Sequence, residues 1–200
     1  MINRGDFIEL EFTGIVNGEV FDTTDENIAK SIGYKGEVKP IKIIVGEGMV
    51  VRGLDKNLEG KEVGKEYEIK LKPNEAFGEK SAALIKTISI NAFNDKSILK
   101  ENSFINIEGI VARVVKVGSG RVVLDFNHPL AGKEIIYKFK IKRKIEDEEE
   151  KVTAILQFFN VKEYKIEKNG SIKIKTKAKL PEKVIELIKK YTNCVLEDKD

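Results

Sequence analysis

A single histidine, His128, lies in the stretch LDFNHPLAGKEI, and a single cysteine, Cys194, lies near the other end of the 200-residue chain. They are the only candidates for an imidazole base and a thiol nucleophile, and a working pair would need a third group to orient the base. No motif supplies one. A zinc site would have to draw its remaining ligands from carboxylates, and no carboxylate cluster shows ligand spacing. CxxC, HExxH, a glycine-rich phosphate loop and a G-x-S-x-G elbow are all absent. Neither a metal nor a cofactor is expected.

What remains is chemistry that needs neither acid nor base. Aromatic and aliphatic residues gather beside glycine turns: Phe12 in EFTG, Phe21 and Asp22 in FDTT, Val50, Val51 and Leu54 in MVVRGLD, Phe77 in EAFG and Tyr137 in IIYKF. Taken singly, each apolar residue is ordinary core material, and Asp22 is an ordinary carboxylate at a turn. Only the set, in its order, points to a site.

The elements that must carry this set are legible from periodicity. In FIELEFTGIV, Ile8, Leu10 and Phe12 share one face and Glu9 and Glu11 the other, the period of a half-buried strand. Asn17-Gly18 then favours a two-residue hairpin turn into EVFDT. PIKIIVG alternates again, Leu54 and Leu58 recur at helical spacing up to Gly60, and EYEIKLKP returns as a strand. From Leu84 to Asn127 the pattern changes to short β segments, KTISI, FINIEG, IVARVVKV and RVVLDF, with Gly118-Ser119-Gly120 as a turn. IIYKFKIKRKI is long enough to rejoin the earlier sheet, so the small β module reads as an insertion. The run EDEEE from Glu146 marks a solvated boundary. Beyond it KVTAILQFF reads as a helix, EYKIE and SIKIKTKA as a hairpin around Asn169-Gly170, and PEKVIELIKKY as a helix.

Composition bounds the rest. With 41% hydrophobic and 34% charged residues the chain is expected to be a soluble globular protein of more than one domain. One cysteine forms no internal disulfide, no stretch resembles a signal peptide, and no apolar run approaches the roughly 20 residues of a membrane helix. The cytoplasm is the expected compartment, with no membrane contact. Net charge is +3, and residues 151–200 hold 12 basic against 7 acidic residues. That basic tail leaves nucleic acid or the ribosome open as a partner, although its lysines alternate with apolar residues as the wet face of a strand would.

EFTGIVNGEVFDTT, PIKIIVGEGMVVRGLDKNLEGKEVGKEYEIKLKPNEAFG and NHPLAGKEIIYKFKI, in this order, resemble the FKBP-type peptidyl-prolyl cis/trans isomerases over roughly residues 5–145. The resemblance is closest to the SlyD-like branch, which carries an insert-in-flap domain. It implies an α+β fold: an FKBP half-barrel antiparallel sheet around a short helix (1–83 plus 128–146), a small all-β insert-in-flap chaperone domain (84–127), and a small α+β C-terminal domain (151–200), as in the longer archaeal members. It also implies a shallow pocket lined by Phe12, Phe21, Asp22, Ile41, Val50, Val51, Phe77 and Tyr137 over Leu54, with the Val51 N–H offered to a substrate carbonyl. Leu54 stands where single-domain members carry tryptophan, and Phe77 where tyrosine is common, which removes a phenolic hydroxyl. His128, Pro129 and Gly132 then form the corner at which the chain re-enters the first sheet.

The chemistry implied is rotation about X-Pro bonds. The barrier is about 18–20 kcal/mol, because resonance holds the amide planar. Twisting lessens the charge separation, so an apolar, water-poor cavity favours the twisted form, and a thousandfold acceleration asks for only about 4 kcal/mol. The partners implied are unfolded or proline-containing polypeptides, captured by apolar residues of the insert for which Ile88, Ile90, Phe93, Ile98, Leu99 and Phe104 are candidates; about half of these should be that module's own core. A holdase with a vestigial pocket is the alternative, and a homodimer through the C-terminal domain, along the face of Val184, Ile185, Leu187, Ile188 and Tyr191, stands against burial of that face within the chain.

Overall fold

The turn at Asn17-Gly18 takes positive φ at both residues (51° and 83°), as the twist of a tight hairpin demands. It joins β1 (Phe7–Val16) to β2 (Glu19–Thr23). A computed structural model describes residues 1–168, 172–176 and 179–196. The chain continues through α1 (Glu26–Ser31), β3 (Ile41–Ile44), α2 (Arg52–Leu58), β4 (Glu66–Leu71), β5 (Ile85–Ser89), β6 (Phe104–Ile107), β7 (Ile110–Gly118), β8 (Arg121–Asp125) and β9 (Ile135–Ile145). It then runs through α3 (Glu148–Phe158), β10 (Tyr164–Lys168), β11 (Ile172–Thr176), α4 (Glu182–Tyr191) and β12 (Val195–Leu196). The Asn169-Gly170 turn expected between β10 and β11 lies outside the described residues, while the two strands themselves pair antiparallel.

Two compact units result: residues 1–71 with the described residues of 134–200, and residues 72–133. In the first, an antiparallel sheet runs β2-β1-β9-β4, with β3 also paired to β1. One face is apolar. Across it Leu10 pairs with Ile141, Phe12 with Phe139, and Phe139 with Tyr67, and the fully buried Leu54 and Leu58 of α2 belong to the same unit's core. The other face is a ladder of charges in which Lys138, Lys140, Lys142 and Arg143 of β9 meet Glu68, Glu66, Glu11 and Glu9. Exposed pairs of this kind add little stability each, but they keep that face in water and so fix which side turns inward.

Leu71 at the end of β4 lies opposite Ile135 at the start of β9. The intervening chain therefore leaves and re-enters one sheet at a single rung, which is what an insertion requires. The contacts draw its borders wider than the 84–127 expected, because residues 72–83 and 128–133 group with the inserted strands. Within that unit Ser81 and Asn127 exchange hydrogen bonds (2.8 and 3.1 Å) and Lys80 pairs with Asp125 (3.2 Å), closing its neck. Its sheet runs β5-β8-β7-β6 over a core of Leu99, Ile105, Ala112, Val114, Val122 and Leu124. His128 sits in the corner: its carbonyl accepts the Ala131 N–H (2.9 Å), its Nδ1 accepts the Leu130 N–H (3.1 Å), and Gly132 takes φ +73°.

The C-terminal region, expected to stand apart at 151–200, groups with the first unit. Val152, Ile155 and Leu156 of α3 and Val184, Leu187 and Ile188 of α4 are buried, so that apolar face is already covered by the same chain. Nor does the acidic run mark a boundary. Asp147 caps α3, and Glu148, Glu149 and Glu150 form its first turn, where the helix dipole favours negative charge. Glu150 then takes Arg143 and Lys42 of the sheet. Those two cations hold the Glu150 carboxyl down at about 2, and hydrogen bonds from Lys190 and Tyr191 hold Glu47 at about 2 as well, against a usual 4.5. Carboxylates depressed by folding stabilise the protein above their unfolded value, and that contribution is lost as pH falls through the folded one. Denaturant midpoints should therefore drop between about pH 5 and about pH 2, with a smaller drop in Glu150→Gln; equal drops in the two proteins would refute the assignment.

Candidate functional site

The site grows from one irregularity in the first hairpin. Gly14 faces Asp22, but Ile15 faces Val20, so β2 carries one residue more than β1 across this step, a bulge at Phe21. The bulge lets the Phe21 ring fold over Gly14. A Cβ built on Gly14 would lie 2.5 Å from Phe21 Cζ, so only glycine leaves room for that ring. On the other side of Gly14 stands Tyr137 of β9. Its ring meets Phe21 edge-on at 6.1 Å and Phe12 edge-on at 5.7 Å, preferred aromatic geometries. Three expected site residues thus form one aromatic cluster, and the fourth, Asp22, occupies the same cross-strand row.

The electrostatics follow from that row. Asp22 is exposed, yet partial desolvation of its carboxyl pushes it up, and a hydrogen bond from the Thr23 backbone pulls it partly back. Burial also pushes the Tyr137 phenol up to about 12, and the Asp22 charge adds to the shift. Tyr137 therefore stays protonated, a donor and not a base.

The second part is the segment between β3 and α2. Gly46 and Gly48 take φ +84° and +70°, conformations that suit glycine. The buried Asp55 of α2 reaches back and accepts both of their N–H groups, at 2.8 and 2.9 Å. Met49 is pinned as its Sδ accepts the Ile44 N–H (3.2 Å). Val50 and Val51 follow, both half-buried, and the Val51 carbonyl accepts the Asp55 N–H (3.0 Å) as α2 begins. Leu54 is fully buried beneath this turn, and Ile41 pairs with Leu10. Asp55 was not singled out by sequence reasoning: one carboxylate three residues into a helix gives no sign of which amides it will accept.

Phe77 belongs to the other unit, where it stacks on His128 with centroids 4.7 Å apart and planes 2° from parallel. In that unit the six candidate apolar residues divide. Leu99 is core; Ile88, Ile90 and Phe93 pack against it; Ile98 and Phe104 are exposed and border a cavity of about 590 Å³. Phe104 lies on β6, an edge strand. Sequence reasoning missed Ile110 and Val111, both more than half exposed. The signal was present: Glu108 and Gly109, with φ 50° and 88°, form a two-residue turn that lifts the start of β7 to a hairpin tip.

A cavity of about 370 Å³ in the first unit is bordered by the charged Glu66, Glu68, Lys138 and Lys140 and equally by Phe12, Tyr67 and Phe139. Among the described residues, no set of three or more His, Cys, Asp or Glu could hold a metal, and no helix is long and apolar enough to cross a membrane.

Residues 1–93 match the family of FKBP-type peptidyl-prolyl cis-trans isomerases, and residues 100–130 match the IF domain of FKBP26. A short-type peptidyl-prolyl cis-trans isomerase of Methanocaldococcus jannaschii is 36% identical over 146 residues, covering 71% of this chain and 93% of that protein. SlyD isomerases of Helicobacter pylori and Aeromonas hydrophila are 28% identical over 137 residues and 30% identical over 139. These matches span 66% and 68% of this chain, and 70% and 60% of the relatives.

Proposed function

Since the chain belongs to the FKBP-type peptidyl-prolyl cis-trans isomerases, we propose that Phe12, Phe21 and Tyr137 receive the proline ring, with Ile41, Val50, Val51 and Leu54 completing an apolar pocket. The observation that carries this reading is the aromatic cluster packed over Gly14. The rings replace water around the X-Pro amide, and the twisted amide, with less charge separation, loses less by that exchange than the planar one. The Val51 N–H, at the mouth of α2, donates to a substrate carbonyl and holds the chain while the bond turns. Asp22 orients polar substrate atoms at the rim. No step moves a proton.

The inserted unit serves as the chaperone part. Exposed Ile98, Phe104, Ile110 and Val111, with an open edge at β6, suit the capture of extended apolar chain. The clients are unfolded, proline-containing polypeptides in the cytoplasm, a compartment favoured by a lone cysteine. The basic tail supports nucleic-acid contact less well, because Lys183 and Lys190 pair with Glu47, and Lys165 and Lys175 with Glu167.

The test is isomerisation of a short X-Pro peptide by the intact protein, Asp22→Ala, and a variant with residues 84–127 replaced by a short loop. The Phe126 N–H donates to the Leu84 carbonyl (3.0 Å), so the cut ends lie close enough to join. We expect Asp22→Ala to lower kcat/KM about tenfold. The shortened protein should keep peptide activity and lose suppression of aggregation. Unchanged activity in Asp22→Ala would remove Asp22 from the site, and suppression that survives excision would remove the chaperone role from the insert.

A further inference from the structure

Helix α4 converges on one carboxylate. Tyr191 Oη donates to Glu47 Oε1 at 2.6 Å, Lys190 Nζ donates to the same oxygen at 2.7 Å, and Lys183 Nζ donates to Oε2 at 3.5 Å. The Glu47 side chain is only 7% exposed, although its lysine partners are about half exposed. The Tyr191 ring is seated in turn, edge-on to Phe7 at 6.0 Å and so close to Gly5 that a Cβ there would come within 3.0 Å of it. The Gly5 N–H donates to the Val45 carbonyl at 2.8 Å, which ties the tyrosine's seat to the start of the same segment.

Glu47 lies between Gly46 and Gly48, the two residues whose amides Asp55 accepts. Asp55 thus grips the segment from within and Tyr191 grips it from outside, with Val50 and Val51 a few residues further on. Two glycines at positive φ give the backbone freedom that a fixed wall cannot tolerate unless both sides are held. We propose that Tyr191 and Lys190, acting through Glu47, are positioning residues for the Val50–Val51 wall, so that the C-terminal helix supports the isomerase site. This rests on the assignment of Val50 and Val51 to the proline pocket. Tyr191 is the stronger member, because its hydroxyl is a charge-assisted donor to a shielded carboxylate, whereas half-exposed lysines contribute little singly.

The experiment compares the full chain with Tyr191→Phe, Glu47→Gln and, as a control on the same helix, the exposed Lys189→Ala, with Asp22→Ala beside them. Peptide isomerisation is resolved into kcat and KM, thermal midpoints are recorded, and the Val50 and Val51 amide resonances are followed by NMR. We expect Tyr191→Phe and Glu47→Gln to lower kcat/KM about three- to tenfold, mainly through KM, since a displaced Val51 N–H weakens binding first. Both should shift the two valine amides at temperatures where the protein is fully folded, and Lys189→Ala should do neither. Kinetics and resonances unchanged in Tyr191→Phe while Asp22→Ala is impaired would overturn the inference and leave the pocket assignment standing. No change in any variant, Asp22→Ala included, would overturn both. A loss that only tracks the thermal midpoint, or that Lys189→Ala shares, would make the contact a matter of stability alone and overturn the positioning role.

Discussion

Gly14→Val is expected to lower peptide kcat/KM by more than tenfold while leaving most of the molecule folded. The new Cβ would sit 2.5 Å from Phe21 Cζ and 2.8 Å from its Cε1, where no carbon pair can rest. The strand itself accepts valine readily, so the ring must move. Phe21 is the bulge residue, and as its ring is pushed off the sheet its edge contact with Tyr137 is lost. Overpacking of this kind costs about 1–3 kcal/mol in stability, a shift of several degrees in thermal midpoint. The activity loss should exceed what that shift explains. Isomerisation measured well below the midpoint separates the two effects, and near-normal kcat/KM there would mean that the ring over Gly14 is no part of the pocket.

The bulge marks the limit of what the sequence discloses. Alternation in FIELEFTGIV, the Asn17-Gly18 turn and the four short β segments after Leu84 were legible because each follows from local periodicity or turn chemistry. The insertion was legible too, since β9 is too long and too alternating to belong to a small module. Phe12, Phe21 and Tyr137 came from the resemblance and from their place beside glycines, and the structure brings their rings together. Register is another matter. Nothing local says that β2 carries one residue more than β1 at Phe21, because one extra residue leaves the apolar pattern almost unchanged. The short helix α1 was hidden by its length; Asp25, whose carboxylate accepts the Asn27 and Ile28 amides, was its one signal.

Long-range charge was the other blind spot. EDEEE reads as a solvated boundary because like charges repel, yet Glu150 finds Arg143 and Lys42 once β9 and β3 lie beside α3. The pairing of Glu47 with Tyr191 spans 144 residues and depends on where α4 lands, which periodicity alone does not give. Those same contacts join the C-terminal region to the first unit.

The inner grip on the Val45–Val51 segment should matter most of all. Asp55→Ala is expected to cost about 2–4 kcal/mol, because it leaves two N–H groups without their charged acceptor, and to lower peptide kcat/KM by tenfold or more. Asp55→Asn tests the chemistry and not the volume: an amide keeps one oxygen for Gly46 or Gly48 but turns an NH2 toward the other N–H, donor against donor. It should therefore fall nearer to alanine than to wild type. The comparison with Tyr191→Phe is informative because the two grips act on the same residues from opposite sides. If both hold Val50 and Val51 through one segment, the double variant Asp55→Asn, Tyr191→Phe should lose less activity than the product of the single losses, since a wall already released has little left to lose. Strict multiplication of the two losses would mean that they act independently, and that the outer contact does not reach the valines through the segment Asp55 holds.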